Sequence, residues 1–374
     1  MREIGVAVIG TRFMGRAHAN AWRQVRAFFS PPLLPRLVVA SGRDEKRLSQ
    51  FAHRFGFEHM TTDWRKAVTR EDVGLVDICG PNHLHAEIAA AVAQAGKAVF
   101  CEKPLARDLG EAKGMLQAVE EAGVPHMVCF NYRFFPAVRL AKELIDDGAL
   151  GEIRQFHALY LQDWGLDPDL PLTWRMVKEL AGSGALGDTA VHIVDLARFL
   201  VGEIEEVAGM LTTFIKQRPL RDGSGVGEVT VDDTAAFLAR FEGGATGVFE
   251  TTRVATGRKN FMHLEVNGTR GSLRWNAEDP NVLEFYSLDD PPRVRGFRRI
   301  VVTAPEHPWT GNWWPSGHGL GYEHSFVHAV YELLSAIGAG RAPEPSFRDG
   351  VAAQAVLEAV ARAAEERRWL RVRP

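Results

Sequence analysis

Short, almost wholly apolar runs alternate with stretches of helical periodicity through roughly the first 150 residues. The runs are "IGVAVI", "RLVVA", "VGLVDIC", "KAVFC" and "PHMVCF". Strands apolar along their whole length suit a parallel sheet with helices on both faces. Three intervening stretches carry helix punctuation. Residues 44–56 open on Asp44, a capping residue, and close on Gly56; residues 82–96 have Asn82 placed as a cap and Gly96 past the end; residues 108–123 close on Gly123. "PPLLP" at 31–35 reads as a loop ahead of the second strand.

After Gly148 the texture changes. Strand-like segments follow one another without regular helices between them: "EIRQFHALYLQDW", "EIEEVAGMLTTFI", "TAAFLARFEGGATGVFETTRVA" and "MHLEVNGTRGSLRWN". "FEGG" and "VNGTRG" are hairpin turns. Two helices, 186–202 and 350–368, interrupt or close this part. The expected architecture is an α/β N-terminal domain with a parallel sheet over residues 1–130. An α+β C-terminal domain with a large, mostly antiparallel sheet follows over 131–374. One face of that sheet has to receive the 186–202 helix. Its opposite face keeps apolar residues, as in "TAAFLARF", and predicts a homo-oligomer, a dimer or tetramer.

Composition narrows the function classes. A chain of 374 residues suits two domains, and 46% hydrophobic with 24% charged residues is ordinary for a globular protein. A formal net charge of -3 points away from nucleic acid and anionic membrane as partners. No apolar run approaches the ~20 residues that span a bilayer. The chain opens directly into a strand pattern without a signal peptide, so a cytoplasmic location is expected. Cys79, Cys101 and Cys129 are scattered, with no C-x-x-C or zinc spacing. They read as small buried hydrophobes at the carboxyl ends of three strands.

Candidate chemistry begins at the first strand's end. Gly10-Thr11-Arg12-Phe13-Met14-Gly15 is a dinucleotide-binding fingerprint with arginine where the middle glycine stands. Gly10 is free to make the tight turn and Gly15 to let helix and strand pack closely, so the first domain reads as a Rossmann domain. Arg12 brings a guanidinium to where phosphate would sit. At the end of the second strand there is no acid until Asp44; Ser41 and Arg43 suit a 2′-phosphate, which leans the cofactor from NAD to NADP. Further on, Asp188, His192 and Asp195 are spaced i, i+4, i+7 on a helix that is otherwise mostly apolar. Such a helix is buried, and its polar stripe has to face a partner or a cavity. The stripe could hold a divalent metal, since Asp, His and Asp are all possible ligands, but no metal is expected.

"GPNHLHAEIA" at 80–89 and "FCEKPLARDL" at 100–109, with "GALGDTAVHIVDLARFLVG", "HLEVNGTRGSLRW" and "PSFRDGVAAQAVLEAVARAA", carry a resemblance over essentially the whole chain. The sequence resembles the glucose–fructose oxidoreductase, inositol dehydrogenase and rhizopine catabolism (Gfo/Idh/MocA) family. Arg12 departs from the commonest family pattern. The resemblance implies an NAD(P)-dependent oxidoreductase moving a hydride between nicotinamide and a hydroxyl-bearing carbon of a sugar or cyclic polyol. It makes Lys103 the lysine near the nicotinamide ribose and the reacting hydroxyl, and His192 the proton-transferring residue. Asp188 binds or orients substrate, and Asp195 contacts substrate or orients His192. Pro81, Asn82, His85 and Glu102 join Lys103 on the cofactor. Asn131, Trp174, Arg175 and His318 are substrate candidates, because polar-tipped aromatics beside hydroxyl-binding groups suit a sugar. Two other readings stay open: a non-catalytic nicotinamide- or sugar-sensing protein on the same fold, and a glycosidase that oxidises transiently with a bound NAD.

Overall fold

The computed structural model describes residues 2–373. Two compact units emerge: residues up to Phe134 together with Gly321–Ala352, and Phe135–Leu320 together with the segment from Ala353 onward.

In the first unit six strands form one sheet: β1 (Arg2–Ile9), β2 (Leu33–Ser41), β3 (His59–Thr61), β4 (Leu75–Ile78), β5 (Ala98–Cys101) and β6 (His126–Val128). Their order is β3-β2-β1-β4-β5-β6 and every pairing is parallel. β4 and β5 are buried at every position, as strands covered on both faces must be. Helices α1 (Phe13–Phe28), α2 (Glu45–Phe55), α3 (Trp64–Val68), α4 (His85–Gln94) and α5 (Leu109–Glu121) connect them. Asp44 caps α2 by accepting from the Arg47 N–H at 3.0 Å, and Asp108 caps α5 by accepting from the Glu111 N–H at 2.8 Å. The strand order turns back between β1 and β4, and in open α/β sheets ligands bind at the carboxyl edge of such a switch point.

Three local expectations change. "PPLLP" is mostly strand: β2 starts at Leu33, and Pro35 lies where β2 has a strand partner on one side only, so its missing N–H is tolerated. Asn82 caps no helix with its side chain; it begins a short 3₁₀ turn, Asn82–Leu84, that leads into α4. A 17-residue helix, Tyr322–Gly338, joins the first unit and packs along α1, a helix the strand-dominated pattern of the second half had hidden.

The second unit is built on a nine-stranded sheet. Its strands are β7 (Ile153–Leu161), β8 (Ile204–Thr212), β11 (Thr234–Phe241), β12 (Thr246–Thr252), β13 (Phe261–Gly268), β14 (Gly271–Asn276), β15 (Val282–Ser287), β16 (Arg298–Val301) and β17 (Leu370–Arg371), with a small hairpin of β9 (Gln217–Pro219) and β10 (Val226–Glu228) standing apart. The order is β16-β15-β14-β13-β7-β12-β11-β8-β17, antiparallel except for the β7–β12 pair. One face carries the aromatic core: Phe237 stacks on Phe249 with centroids 4.5 Å apart, and Phe156 lies 5.4 Å from Phe249. Helices Pro136–Asp146 and Val191–Leu200 belong to this unit. The opposite face leaves Met210, Leu238 and Val248 exposed. No helix among the described residues is long and apolar enough to cross a membrane.

Candidate active site

The fingerprint turn in the first unit is shaped by its two glycines. Gly10 has φ +127°, and a Cβ there would lie 2.6 Å from the Cys79 carbonyl oxygen. A Cβ on Gly15 would lie 2.0 Å from the Gly10 carbonyl oxygen. The Gly10 N–H donates to the Ser41 carbonyl at 2.9 Å, drawing the ends of β1 and β2 together. Arg12 occupies the N-cap of α1 without a capping side-chain bond, so the first-turn amides of α1 and the exposed Arg12 and Phe13 stand at the turn; Met14 is half-buried. Open amides at a helix N-terminus beside a glycine turn fit a pyrophosphate. Arg43 is exposed at the far end of β2, and Ser41 is buried.

At the ends of β4 and β5, two loops are tied to each other through His85. Its Nδ1 lies 3.1 Å from the Pro104 and 3.2 Å from the Leu105 carbonyl oxygen, and its Nε2 lies 3.0 Å from the Gly80 carbonyl oxygen. Burial lowers its imidazole from the ordinary value. The ring sits between the segment around Pro81 and Asn82 and the Lys103–Pro104 turn, its single N–H donating to the carbonyls of one side. Lys103 itself is half-buried, and its backbone N–H donates to the Glu102 carboxylate at 3.1 Å. Asn131 is buried, with its amide donating to the Ser325 hydroxyl at 3.1 Å.

Beneath Lys103 lies a cluster the sequence reading passed over. His18 from α1 meets Asp77 of β4 and Glu102, and the Trp22 indole N–H donates to Asp77 at 2.7 Å. The signal was present: Asp77 is a charge inside an otherwise apolar run of a doubly covered strand. His18 with Asp77 and Cys79, and again with Glu102 and Cys129, has the composition of a metal-ligand set. Both His18 nitrogens are, however, already within bonding distance of carboxylates. The three cysteines are free and buried, and burial pushes the Cys129 thiol up to about 12, so none is a ready thiolate.

In the second unit the segment carrying Asp188, His192 and Asp195 is helical, with a local irregularity. Residues Leu186–Ala190 wind as a π-helix before the α-helix Val191–Leu200 begins, so Asp188 sits on a widened turn and His192 in the first α turn. His192 and Asp195 are buried, while the Asp188 side chain is 27% exposed. Asp232 sets the start of this segment: its two carboxylate oxygens accept from the Gly184 and Leu186 N–H groups, each at 2.7 Å. Burial raises the Asp232 carboxyl against the pull of those two amides. Thr189 donates back to the Ala185 carbonyl in its own segment and meets the Thr251 hydroxyl of β12, which pegs the segment to the sheet. The Tyr160 ring lies 5.9 Å from that of His192.

Arg253, at the end of β12, was not anticipated. Its guanidinium donates to Asp188 at 2.9 Å and to the Arg175 carbonyl at 3.2 Å, and lies 5.1 Å from the Trp164 ring centroid. Arg175 in turn lies over Trp174, 4.4 Å from its centroid. One buried cation thus gathers Asp188, Trp164 and the Trp174–Arg175 turn. Arg218 fastens the same loop from beneath, donating to the Gly165 and Asp167 carbonyls. His318 is exposed, and its ring lies 2.8 Å from the Pro315 carbonyl oxygen in its own loop rather than on the stripe.

A glycine turn at the switch point of a parallel sheet, followed in the same chain by a mixed sheet carrying an acid–histidine–acid helix, fits a dinucleotide-binding protein with a second, polar site-bearing unit. The chain belongs to the GFO/IDH/MocA family: residues 4–130 match the oxidoreductase family model with an NAD-binding Rossmann fold, and residues 138–274 match the GFO/IDH/MocA C-terminal domain. It is 43% identical to a levoglucosan dehydrogenase of Pseudarthrobacter phenanthrenivorans, covering 100% of this chain and 99% of that protein. The structure of an oxidoreductase domain protein from Kribbella flavida superposes with a TM-score of 0.97 at 50% identity over 100% of both chains. A levoglucosan dehydrogenase solved with NADH also superposes at 0.97, with 43% identity over 100% of both chains. Its relatives being dehydrogenases of sugar and polyol hydroxyls, the protein is an NAD-dependent oxidoreductase acting on CH–OH groups. The leaning to NADP read from Ser41 and Arg43 finds no support in these relatives.

Proposed function

We propose that the protein oxidises a ring hydroxyl of a neutral pyranose-type sugar with NAD, levoglucosan being the first candidate substrate. The observation that supports this most is the second-unit cluster, in which Asp188 is held by Arg253 beside Trp164, Trp174 and Arg175. Carboxylates bind sugar hydroxyls and aromatic faces cover the apolar side of a sugar ring. Whole-length identity with a levoglucosan dehydrogenase points to the same substrate class.

The bound nicotinamide supplies the hydride acceptor. On this reading the chain provides the rest. The Gly10–Gly15 turn, with the amides of Arg12, Phe13 and Met14, holds the pyrophosphate; Ser41 and Arg43 lie on the adenosine side, Pro81, Asn82 and Glu102 on the nicotinamide side. Lys103 stabilises the alkoxide that develops as the hydroxyl proton leaves and that becomes a carbonyl once the hydride is transferred. His192 accepts the hydroxyl proton, and Asp188 orients the hydroxyls, with Asp195 buried behind the histidine on the same helix. The exposed sheet face around Met210, Leu238 and Val248 is proposed to be covered by a second copy of the chain. Light scattering at micromolar concentration tests that pairing, and a clean monomer refutes it.

The test of function is NADH absorbance, with NAD and NADP each run against levoglucosan, glucose, other free sugars and inositols. Net reduction of NAD with levoglucosan or a related pyranose is expected. Inertness towards every sugar, or bound cofactor that cycles without net reduction, overturns the reading.

A further inference from the structure

Three titratable side chains are buried beneath the turn that carries Lys103. His18 comes from α1, one turn beyond the glycine fingerprint, Asp77 from the middle of β4, and Glu102 from the residue after β5. His18 Nδ1 lies 2.9 and 3.0 Å from the two Asp77 oxygens, and Nε2 lies 2.8 Å from Glu102 Oε1. The other Glu102 oxygen accepts from the Lys103 backbone N–H at 3.1 Å. His18 is fully buried, walled by Phe100 and Phe326 with ring centroids at 5.1 and 5.2 Å.

A proton count defines the state of this cluster. An ionised carboxylate only accepts, and a neutral imidazole has a single N–H. With each ring nitrogen facing a carboxylate, both hydrogen bonds are made only if a further proton is present. The Asp77 oxygens already accept from Trp22 and from the Cys79 thiol, which is 3.3 Å away. Glu102 already accepts from Lys103. Both Asp77 oxygens are thus spent as acceptors; on Glu102 only Oε1 is left to carry the extra proton, and the neighbouring His18 and Lys103 hold that carboxyl below its usual range, which leaves the proton on the ring.

We propose that His18 is a positioning residue for the dehydrogenase: its doubly protonated ring ties Asp77 to Glu102, and Glu102 fixes the Lys103 backbone from which the active ammonium is aimed. The proposal rests on the reading that Lys103 acts in turnover. The groups facing His18 from every side are Asp77, Cys79, Glu102, Cys129 and Tyr322. Burial opposes charge on the ring, but the Asp77 charge and hydrogen bond hold the imidazole well above its ordinary value. Burial likewise pushes Glu102 up, but the bond and charge of His18, with Lys103, bring it below the usual range. Burial keeps the Cys79 and Cys129 thiols and the Tyr322 phenol protonated. Two carboxylates and one imidazolium leave a net negative charge under Lys103, which the lysine balances.

The first test is nitrogen NMR on ¹⁵N-histidine-labelled wild-type protein without substrate at about pH 8, where an unperturbed histidine is neutral. Two protonated ring nitrogens are expected for His18, assigned by their loss in His18→Gln. A single N–H at that pH overturns the proposal whether or not a sugar is the substrate. The second test compares variants. Glutamine at 18 donates to one carboxylate and turns an acceptor oxygen on the other. His18→Gln should therefore lower kcat roughly 10- to 10²-fold through misplacement of Lys103, with NADH affinity and sugar KM changed far less. Relative to wild type the deficit should shrink as pH falls, because protonating a carboxyl restores the missing hydrogen. Glu102→Gln can donate to a singly protonated His18 and still accept from Lys103, so it should keep much more turnover than Glu102→Ala. Wild-type kcat in His18→Gln, a pH-independent deficit, or equal losses in the two Glu102 variants would each refute the positioning role.

Discussion

Replacing Arg253 by methionine keeps most of the stem volume and deletes the cation that organises the second-unit cluster. The cost follows from three lost contacts. Breaking a buried ion pair by removing one partner costs about 3–5 kcal/mol when the remaining charge stays buried. The Asp188 side chain is 27% exposed and regains water, so the pair's share falls to about 2 kcal/mol. The Arg175 carbonyl loses a charged donor at 3.2 Å, worth about 1 kcal/mol net. The contact with Trp164 adds about 0.5 kcal/mol, which methionine recovers by packing on the same ring. The expected total is roughly 2–3 kcal/mol, read as a lower urea midpoint. A cycle with Asp188→Asn and the double variant should give a coupling of about 1.5 kcal/mol or more. Since the same contact aims Asp188, kcat/KM for the sugar should fall at least about tenfold, equivalent to roughly 1.4 kcal/mol of transition-state stabilisation, with NADH binding unchanged. A coupling below about 0.5 kcal/mol together with an unaltered kcat/KM would refute the reasoning.

Three further outcomes are expected. His192→Ala should lower turnover roughly 10²- to 10⁴-fold and remove the acid limb of the pH–rate profile, while NADH fluorescence titrations show near wild-type affinity; a retained acid limb would remove His192 from the mechanism. Arg12→Glu should weaken NADH binding by introducing an acid at the phosphate turn, more so at low ionic strength; a titration indistinguishable from wild type at both salt levels counts against a pyrophosphate there. The stability gained from His18 is present in full below its unfolded value, near ~6.5, and is lost as pH rises through the raised folded value, whereas the Glu102 contribution is present above its unfolded value, near ~4.5, and is lost as pH falls through the lowered folded value. The gap in melting temperature between wild type and His18→Gln should accordingly narrow on the alkaline side, and a gap that widens there would contradict a buried imidazolium.

The two-part architecture was legible because strand periodicity is a local property. Runs such as "VGLVDIC" and "KAVFC" are apolar at nearly every position only if both faces are covered, and "TAAFLARF" alternates only if one face is. The glycine turn was legible for the same reason: φ +127° at Gly10 and the close approach at Gly15 exclude a side chain at those two positions whatever surrounds them. That Asp188, His192 and Asp195 lie on a helical segment was legible from spacing, although the π-turn at Asp188 was not. Helix Tyr322–Gly338 was missed because its apolar face is matched to α1, more than 290 residues earlier in the chain by the residue numbers of the two helices. Hydrogen-bond partners are likewise non-local. Asp77 announces a buried charge but not that His18 and Glu102 flank it, and Arg253 lies 65 residues from the carboxylate it binds. Periodicity and backbone conformation are thus written residue by residue. Which polar side chains satisfy one another in the interior was decided only when strand order and helix packing brought distant positions within 3 Å, because a buried donor or acceptor takes its partner from whatever the fold places beside it.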